Sequence, residues 1–279
     1  MQRSIGRELV SLIMKATVVV LTIVVVVLSL NALYEVEAGV GDGTCNVAVL
    51  PVEGTILPFY GLVEAPLIVT PEMVETFMDT VEGQGDIDAV LVEINSPGGT
   101  PVAAQRIAER FRSSPLPVVG LIGDMGASGG YMVAAATDYL LASPMSDVGS
   151  IGVNMSYVEE SEKNDEEGLT YVQLTTGKFK DAGNPNKPLS EEERALFQRD
   201  LDIIHNEFVK TVAADREKTF EEISALADGS SMTGVRALEV GLVDKLGGRA
   251  EAREALAHIL GIEPVDVTFC EYESGLLPF

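Results

Sequence analysis

Two short apolar runs, each closed by a glycine-rich turn that opens a helix, set the tightest limit on how this chain folds. Ala89 to Ile94 runs into Asn95-Ser96-Pro97-Gly98-Gly99, after which Thr100-Pro101 begins a helical pattern carrying Val102, Ile107 and Phe111. Pro117 to Ile122 runs through Gly123-Asp124-Met125-Gly126-Ala127-Ser128-Gly129-Gly130-Tyr131 into a small-residue helix ending near Ala136. Apolar runs bounded by glycine read as buried strands, and proline suits the first turn of a helix. Strands that alternate with helices must be joined by crossovers, so they lie parallel in an α/β layer architecture.

The rest of the chain extends this pattern. Val47 to Val52 and Tyr139 to Ala142 read as further strands. Thr70, Pro71 and Glu72 supply a cap, a first-turn proline and a carboxylate at the positive end of a helix reaching about Val81. Gly149 to Val153 and Leu169 to Leu174 are expected as strands, and the acidic run 159–167 as a solvated loop. Ser190 with Glu193 forms a capping box for a long helix striped by Phe197, Leu201, Ile204, Phe208 and Val212. Thr219 with Glu222 caps a shorter helix, and Thr233 caps another ending near Gly241. A last helix, Ala250 to Leu260, leads to an expected strand, Val265 to Phe269.

Ahead of this domain, Ala16 to Leu33 carries no charge and approaches the ~20 residues that cross a bilayer. Arg3, Arg7 and Lys15 precede it and Glu35, Glu37 and Asp42 follow, which orients the N-terminus to the cytosol and the bulk of the chain outside. The organisation expected is a cytosolic stretch 1–15, an anchor 16–34, a linker 35–45, one catalytic domain 46–270 and a tail 271–279. A cleavable signal peptide is the competing reading, with Ala32 and Ala38-Gly39 as small residues nearby.

Acidic residues outnumber Lys and Arg 43 to 19, for a net charge of −24. Nucleic acid is excluded as a partner, because phosphate binding needs clustered basic residues. Such a surface repels itself in dilute buffer and is eased where salt screens it, so a high-salt setting is an expectation. The two cysteines, Cys45 and Cys270, fit no metal spacing, and whether they pair is left open by the sequence.

For chemistry the focus is Ser128. A serine at a sharp strand-to-helix turn sits beside backbone N–H groups, which suits a nucleophile; the same serine can equally be a helix cap. The only histidines, His205 and His258, fall inside predicted helices, and nothing recommends either as its base. No ligand spacing for a metal and no phosphate-loop or dinucleotide pattern occurs, so no metal or cofactor is expected. A lysine remains, provided desolvation removes its charge. Lys178 and Lys180 both qualify, and chemistry alone does not separate them. Gly98-Gly99 and Gly129 offer N–H donors for an oxyanion.

Taken in order, Asn95 to Gly99, Ala127 to Tyr131, Gly149 to Val153 and Gly177-Lys178-Phe179-Lys180-Asp181 resemble the motif series of the signal peptide peptidase A (protease IV) family in its half-length form. The resemblance covers roughly residues 45 to 260. It implies a Clp protease/crotonase-like superfold and a serine–lysine dyad, with Ser128 as nucleophile and Lys180 as base. It further implies Ser150 as a lysine-orienting residue and Gly99 and Gly129 as oxyanion-hole positions. It implies a membrane-tethered homo-oligomeric ring whose dyad is shared between subunits, acting on cleaved signal peptides and other short hydrophobic peptides. Two other functions fit the same residues: processing of a specific membrane-protein partner, and a non-catalytic scaffold. One departure stands out, since the segment between Val153 and Leu169 is acidic here where the family's is expected to be more apolar and helical.

Overall fold

Six parallel strands in the order β2-β1-β3-β4-β5-β8 form the spine of the protein, seen in a computed structural model that describes residues 14–15, 17–26, 43–59 and 67–271. They are β1 (Val47–Ile56), β2 (Ile68–Val69), β3 (Ala89–Gly99), β4 (Val118–Ala127), β5 (Tyr139–Ala142) and β8 (Lys245–Leu246). The helices are α1 (Pro71–Gly83), α2 (Pro101–Arg112), α3 (Gly129–Ala135), α4 (Ser161–Glu166), α5 (Glu191–Asp215), α6 (Phe220–Ser224), α7 (Gly234–Glu239) and α8 (Arg249–Leu260). Three short strands complete the sheet: β6 (Asp147–Gly149) pairs with β4, β7 (Ser231–Thr233) runs antiparallel to β6, and β9 (Phe269–Cys270) lies along β1.

Side chains on successive strand residues point to opposite faces, and both faces are covered. Ala48, Leu50 and Val52 of β1 and Val90, Val92 and Ile94 of β3 join Phe77, Ile107, Met132 and Val212 from α1, α2, α3 and α5. Val47, Val49, Leu91 and Val119 face the other way, against Ala252, Leu256 and Ala257 of α8. Burial on both faces is why these strands read as continuous apolar runs.

The caps read from the sequence hold. Thr70 Oγ1 accepts from Met73 N at 3.3 Å, and both capping boxes close, at Ser190 with Glu193 and at Thr219 with Glu222. Thr233 Oγ1 accepts from Arg236 N at the start of α7.

Several expectations are corrected. Leu169–Leu174 forms no strand: no ladder reaches it, and Leu169, Val172 and Leu174 stand exposed. Gly149 to Val153 is strand only at its first residue, because β6 ends at Gly149 and Ser150 turns away at φ 51°. The acidic stretch contains the short helix α4, which buries no residue. Of the expected strand Val265 to Phe269, only Phe269 is strand, opening β9; Val265 and Asp266 belong to a 3₁₀ turn, Pro264–Asp266. The stripe of α5 is buried only in its later half, at Phe208, Val209, Val212 and Ala213, while Ile204 is exposed.

The predicted anchor 16–34 lies partly outside the described residues, at 16 and 27–34. Within it, residues 17–26 are helical and exposed. Among the described residues no helix is long and apolar enough to cross a membrane.

Cys45 and Cys270 are joined in a disulfide with Cα atoms 5.2 Å apart across 225 residues of sequence. The bond ties the start of β1 to β9, two elements already aligned as parallel neighbours.

Candidate active site

Strand β4 builds the site by changing partners. Its first half, Val119–Ile122, pairs with β5; its second half, Met125–Ala127, leaves β5 and pairs with β6. Asn95 Oδ1 accepts from Met125 N at 3.2 Å where the β3–β4 register shifts. Beyond Ala127 the chain turns at Ser128 into α3.

Ser128 has φ 51° and ψ −124°. A non-glycine residue held there costs about 1–3 kcal/mol and persists only where the surroundings over-determine it. They do: Ser128 N donates to Gly149 O at 2.7 Å, and Ser128 O accepts from Tyr131 N and Met132 N in the first turn of α3. Its side chain makes no cap hydrogen bond. Of the two sequence readings, the cap therefore lacks its defining contact. Ser128 instead sits part-exposed at a strained strand-to-helix turn, with its hydroxyl uncommitted to the helix.

Against this turn lies the Gly98–Gly99 segment. A Cβ at Gly98, where φ is +97°, would stand 2.6 Å from Gly129 N and 2.9 Å from Ser128 Cβ. One at Gly129 would stand 3.2 Å from Gly99 N. Only glycine lets the two backbones approach this closely. The N–H of Gly129 belongs to the first turn of α3, where no helical acceptor exists. Gly99 and Gly129, both predicted, are thus brought together beside Ser128.

Ser150 occupies the same position one strand over, directly after β6, and shares φ 51°. The Ser128–Gly149 hydrogen bond joins the two turns. The Ser150 hydroxyl is occupied by Gly229 O, 3.0 Å away.

The lysines sit apart, in the exposed stretch before α5. Lys178 Nζ pairs with Glu192 at 2.6 Å and lies 5.2 Å from the Phe179 ring centroid. Lys180 is exposed, and its Nζ has no ion pair or hydrogen bond among the described residues. Neither lysine hydrogen-bonds Ser128. His205 Nε2 contacts Ala227 O at 3.0 Å, and His258 lines an open surface cavity with Tyr139, Lys245 and Glu254; neither meets Ser128. Among the described residues no three His, Cys, Asp or Glu side chains gather as metal ligands would.

The hairpin-like stretch around Lys180 is wired to itself by contacts that sequence reading missed. Asp181 accepts from the Tyr171 hydroxyl at 2.8 Å and from Asn184 Nδ2 at 2.9 Å. Lys187 Nζ grips Glu193 at 2.5 Å, and Ser190 N and Oγ also donate to that carboxylate. Together, led by Lys187, these donors pull the Glu193 carboxyl down to about 2. The capping box was a readable signal for Glu193; no pattern announced Lys187 or Tyr171.

On the other side, Tyr131 anchors α3. It is fully buried, its hydroxyl donates to Leu242 O at 2.8 Å, and burial pushes its phenol far above the ordinary value.

Fold and site define a doubly covered parallel-sheet α/β protein with a strained serine at a strand-to-helix turn and glycine backbone packed beside it. Comparison with known proteins then gives the family. The model of peptidase family S49 matches residues 110–263, more than half of the chain, and the chain belongs to that family. A proposed protease of Methanocaldococcus jannaschii is 32% identical over 192 residues, covering 68% of this chain and 62% of that protein. A proposed signal peptide peptidase of Enterococcus faecium is 30% identical over 207 residues, 73% and 60% of the two chains. Protease 4 of Salmonella typhi is 31% identical over 196 residues, 68% of this chain and 31% of that one. The chain thus spans under two thirds of the length of these relatives.

Proposed function

We propose that this chain is a serine endopeptidase with a Clp protease/crotonase-like domain, tethered to the membrane by its N-terminal segment and acting outside the cytosol. Ser128 is the nucleophile. Lys180 takes its proton as the serine oxygen attacks a peptide carbonyl, and the amine leaves with that proton. Water activated by the same lysine then releases the acyl group and regenerates the serine. The N–H groups of Gly99 and Gly129 hold the oxyanion, and Ser150 orients the lysine. The substrates are short hydrophobic peptides, cleaved signal peptides among them.

The observation that carries this reading is the Ser128 turn: a strained, uncapped serine with glycine backbone against its α3 side. The Cys45–Cys270 disulfide supports a location outside the cytosol, since such bonds persist in oxidising compartments. Lys180 rather than Lys178 is favoured as base, because Lys178 is engaged with Glu192. A lysine loses its charge only where it is desolvated, and Lys180 faces solvent in one chain. Exposed Val158, Val172, Leu174 and Ile204 offer apolar surface for a second copy that would bury it. The dyad is accordingly shared between subunits of a homo-oligomer.

The test mixes two inactive variants. Ser128→Ala and Lys180→Ala should each lose at least about a thousandfold in peptide cleavage, Lys178→Ala should stay active, and the first two combined should regain activity. A fluorophosphonate probe should label Ser128 in the wild type. No labelling and no cleavage would leave a non-catalytic scaffold; inactive single variants that fail to complement would place the dyad within one chain, and activity in either single variant would remove that residue from the dyad.

A further inference from the structure

The oxyanion-hole glycines do not set their own position. On either side of them the sheet loses register: β1 against β3 between Glu53 and Thr55, and β3 against β4 between Ile94 and Ser96. Such irregularities re-aim backbone and recur beside active sites. Between the two shifts lies Ser96, whose side chain is wholly buried in a protein where few polar groups are. Its hydroxyl donates to Gly54 O at 2.6 Å and accepts from Gly98 N at 3.1 Å. Gly54 is itself at φ +87°, inside the β1 bulge.

One hydroxyl therefore bridges both irregularities. It satisfies the carbonyl that the β1 bulge turns away from the ladder. It also satisfies the N–H of Gly98, which stays paired with Thr55 of β1 while its φ of +97° departs from ordinary strand angles. A buried backbone group without a partner is costly, so this bond holds Gly98 in its turned conformation. Gly98 in that conformation brings Gly99 N toward Gly129. The neighbouring packing closes the third side: a Cβ at Gly130 would stand 2.6 Å from Ser96 O. Ser96, on the strand that carries Gly99, thereby contacts both β1 and the first turn of α3.

We infer that Ser96 is the positioning residue of the oxyanion hole, acting through Gly98 to hold the Gly99 N–H where charge develops on the substrate oxygen. This rests on the proteolytic reading above. Ser96 does not touch the substrate; it acts only by locking backbone. Its signature is loss of transition-state stabilisation without loss of ground-state binding, which lowers kcat and kcat/KM together. Misplacing one of two oxyanion donors is expected to cost about 10- to 100-fold, below the full loss of a donor.

The experiment compares wild type with Ser96→Ala and Ser96→Cys in the full chain. For Ser96→Ala, kcat on a fluorogenic hydrophobic peptide should fall about 10- to 100-fold with KM within twofold. Inhibition by a peptide aldehyde, which places an oxyanion in the hole, should weaken in parallel, while a product peptide binds unchanged. Ser96→Cys, of similar size with a weaker hydrogen-bonding group, should fall between. Amide exchange at Gly98 should accelerate in Ser96→Ala, read without any substrate. Unchanged kcat in a folded variant whose Gly98 amide has lost protection would overturn the inference, as would a rise in KM alone. If Ser96→Ala does not fold, Ser96→Cys carries the same kinetic test, and wild-type kcat in it overturns the inference. A wild-type enzyme that neither cleaves nor labels would instead sink the proteolytic reading, with the exchange arm still reporting on the Ser96–Gly98 bond.

Discussion

The two halves of the proposed site are held in opposite ways. The serine half, Gly98 to Gly99 with Ser128 to Tyr131, is set by strand register, buried hydrogen bonds and a backbone approach that leaves no room for a Cβ at Gly98. The lysine half, residues 171–189, has no strand partner and leaves Val172 and Leu174 exposed. It is held by side-chain hydrogen bonds to itself, by Glu160 N and Asn164 Nδ2 donating to Pro185 O and Asn186 Oδ1, and by the Lys178–Glu192 and Lys187–Glu193 pairs to α5. Nucleophile and oxyanion donors must sit within a fraction of an ångström of the reacting carbonyl, and the core supplies that rigidity. The base-bearing stretch gains its order from a few polar contacts and, on the reading above, from a neighbouring copy.

If this contrast is right, perturbing the serine half should cost global stability, and perturbing the lysine half should cost order only locally. The largest effect is expected from the disulfide, which closes 225 residues against the strand that starts the sheet. In the chain-entropy picture a loop of that size contributes about 5 kcal/mol, so Cys45→Ser/Cys270→Ser should lower Tm by roughly 10–20 °C in calorimetry. A Tm within 2–3 °C of wild type would show that the β1–β9 ladder suffices alone.

Next comes Gly98→Ala. Its positive φ and the approach of Gly129 N should together cost about 3 kcal/mol, read as a shifted urea midpoint with unchanged slope. Wild-type stability would mean that the two backbones can separate, and the contrast would weaken.

The smallest effect belongs to the lysine half. The Glu193 carboxyl is held at about 2, below its ordinary 4.5, so its contribution is present above the ordinary value and is lost as pH falls through the lowered one. Limited proteolysis at residues 171–189 should therefore rise between about pH 4.5 and 2 ahead of unfolding of the sheet. Glu193→Gln should show the looser pattern already at pH 7 with Tm little changed. A loop as resistant in Glu193→Gln as in wild type would remove the grip from the account.

Much of the sheet, the helix caps and the turn of the serine half was legible beforehand. Val90, Val92 and Ile94 announce a buried strand, Thr70 and Ser190 announce caps, and the glycines around Ser128 announce a tight turn; all are local statements about a few residues. The failures share a cause as well. Leu169 to Leu174 is apolar enough for a strand, yet a strand needs a partner to satisfy its N–H and C=O groups, and the described residues offer none there. The strands β7 and β8 are too short to show a period, and they exist because β6 and β5 present open edges.

Sequence by itself determined the layer architecture, the capped helix starts at Thr70, Ser190, Thr219 and Thr233, the glycine-rich turns that carry Gly99 and Ser128–Gly129, and two candidate lysines. These follow from side-chain period, capping chemistry and the freedom of glycine, each a property of neighbouring residues. Only the tertiary structure decided that Cys45 meets Cys270, that Lys178 is engaged with Glu192 while Lys180 is not, and that the Ser128 side chain caps nothing. It alone brought Ser96, Gly54 and Gly98 to one hydroxyl. Those facts depend on which distant strands pair and in what register, and register is fixed by the packing of the whole sheet.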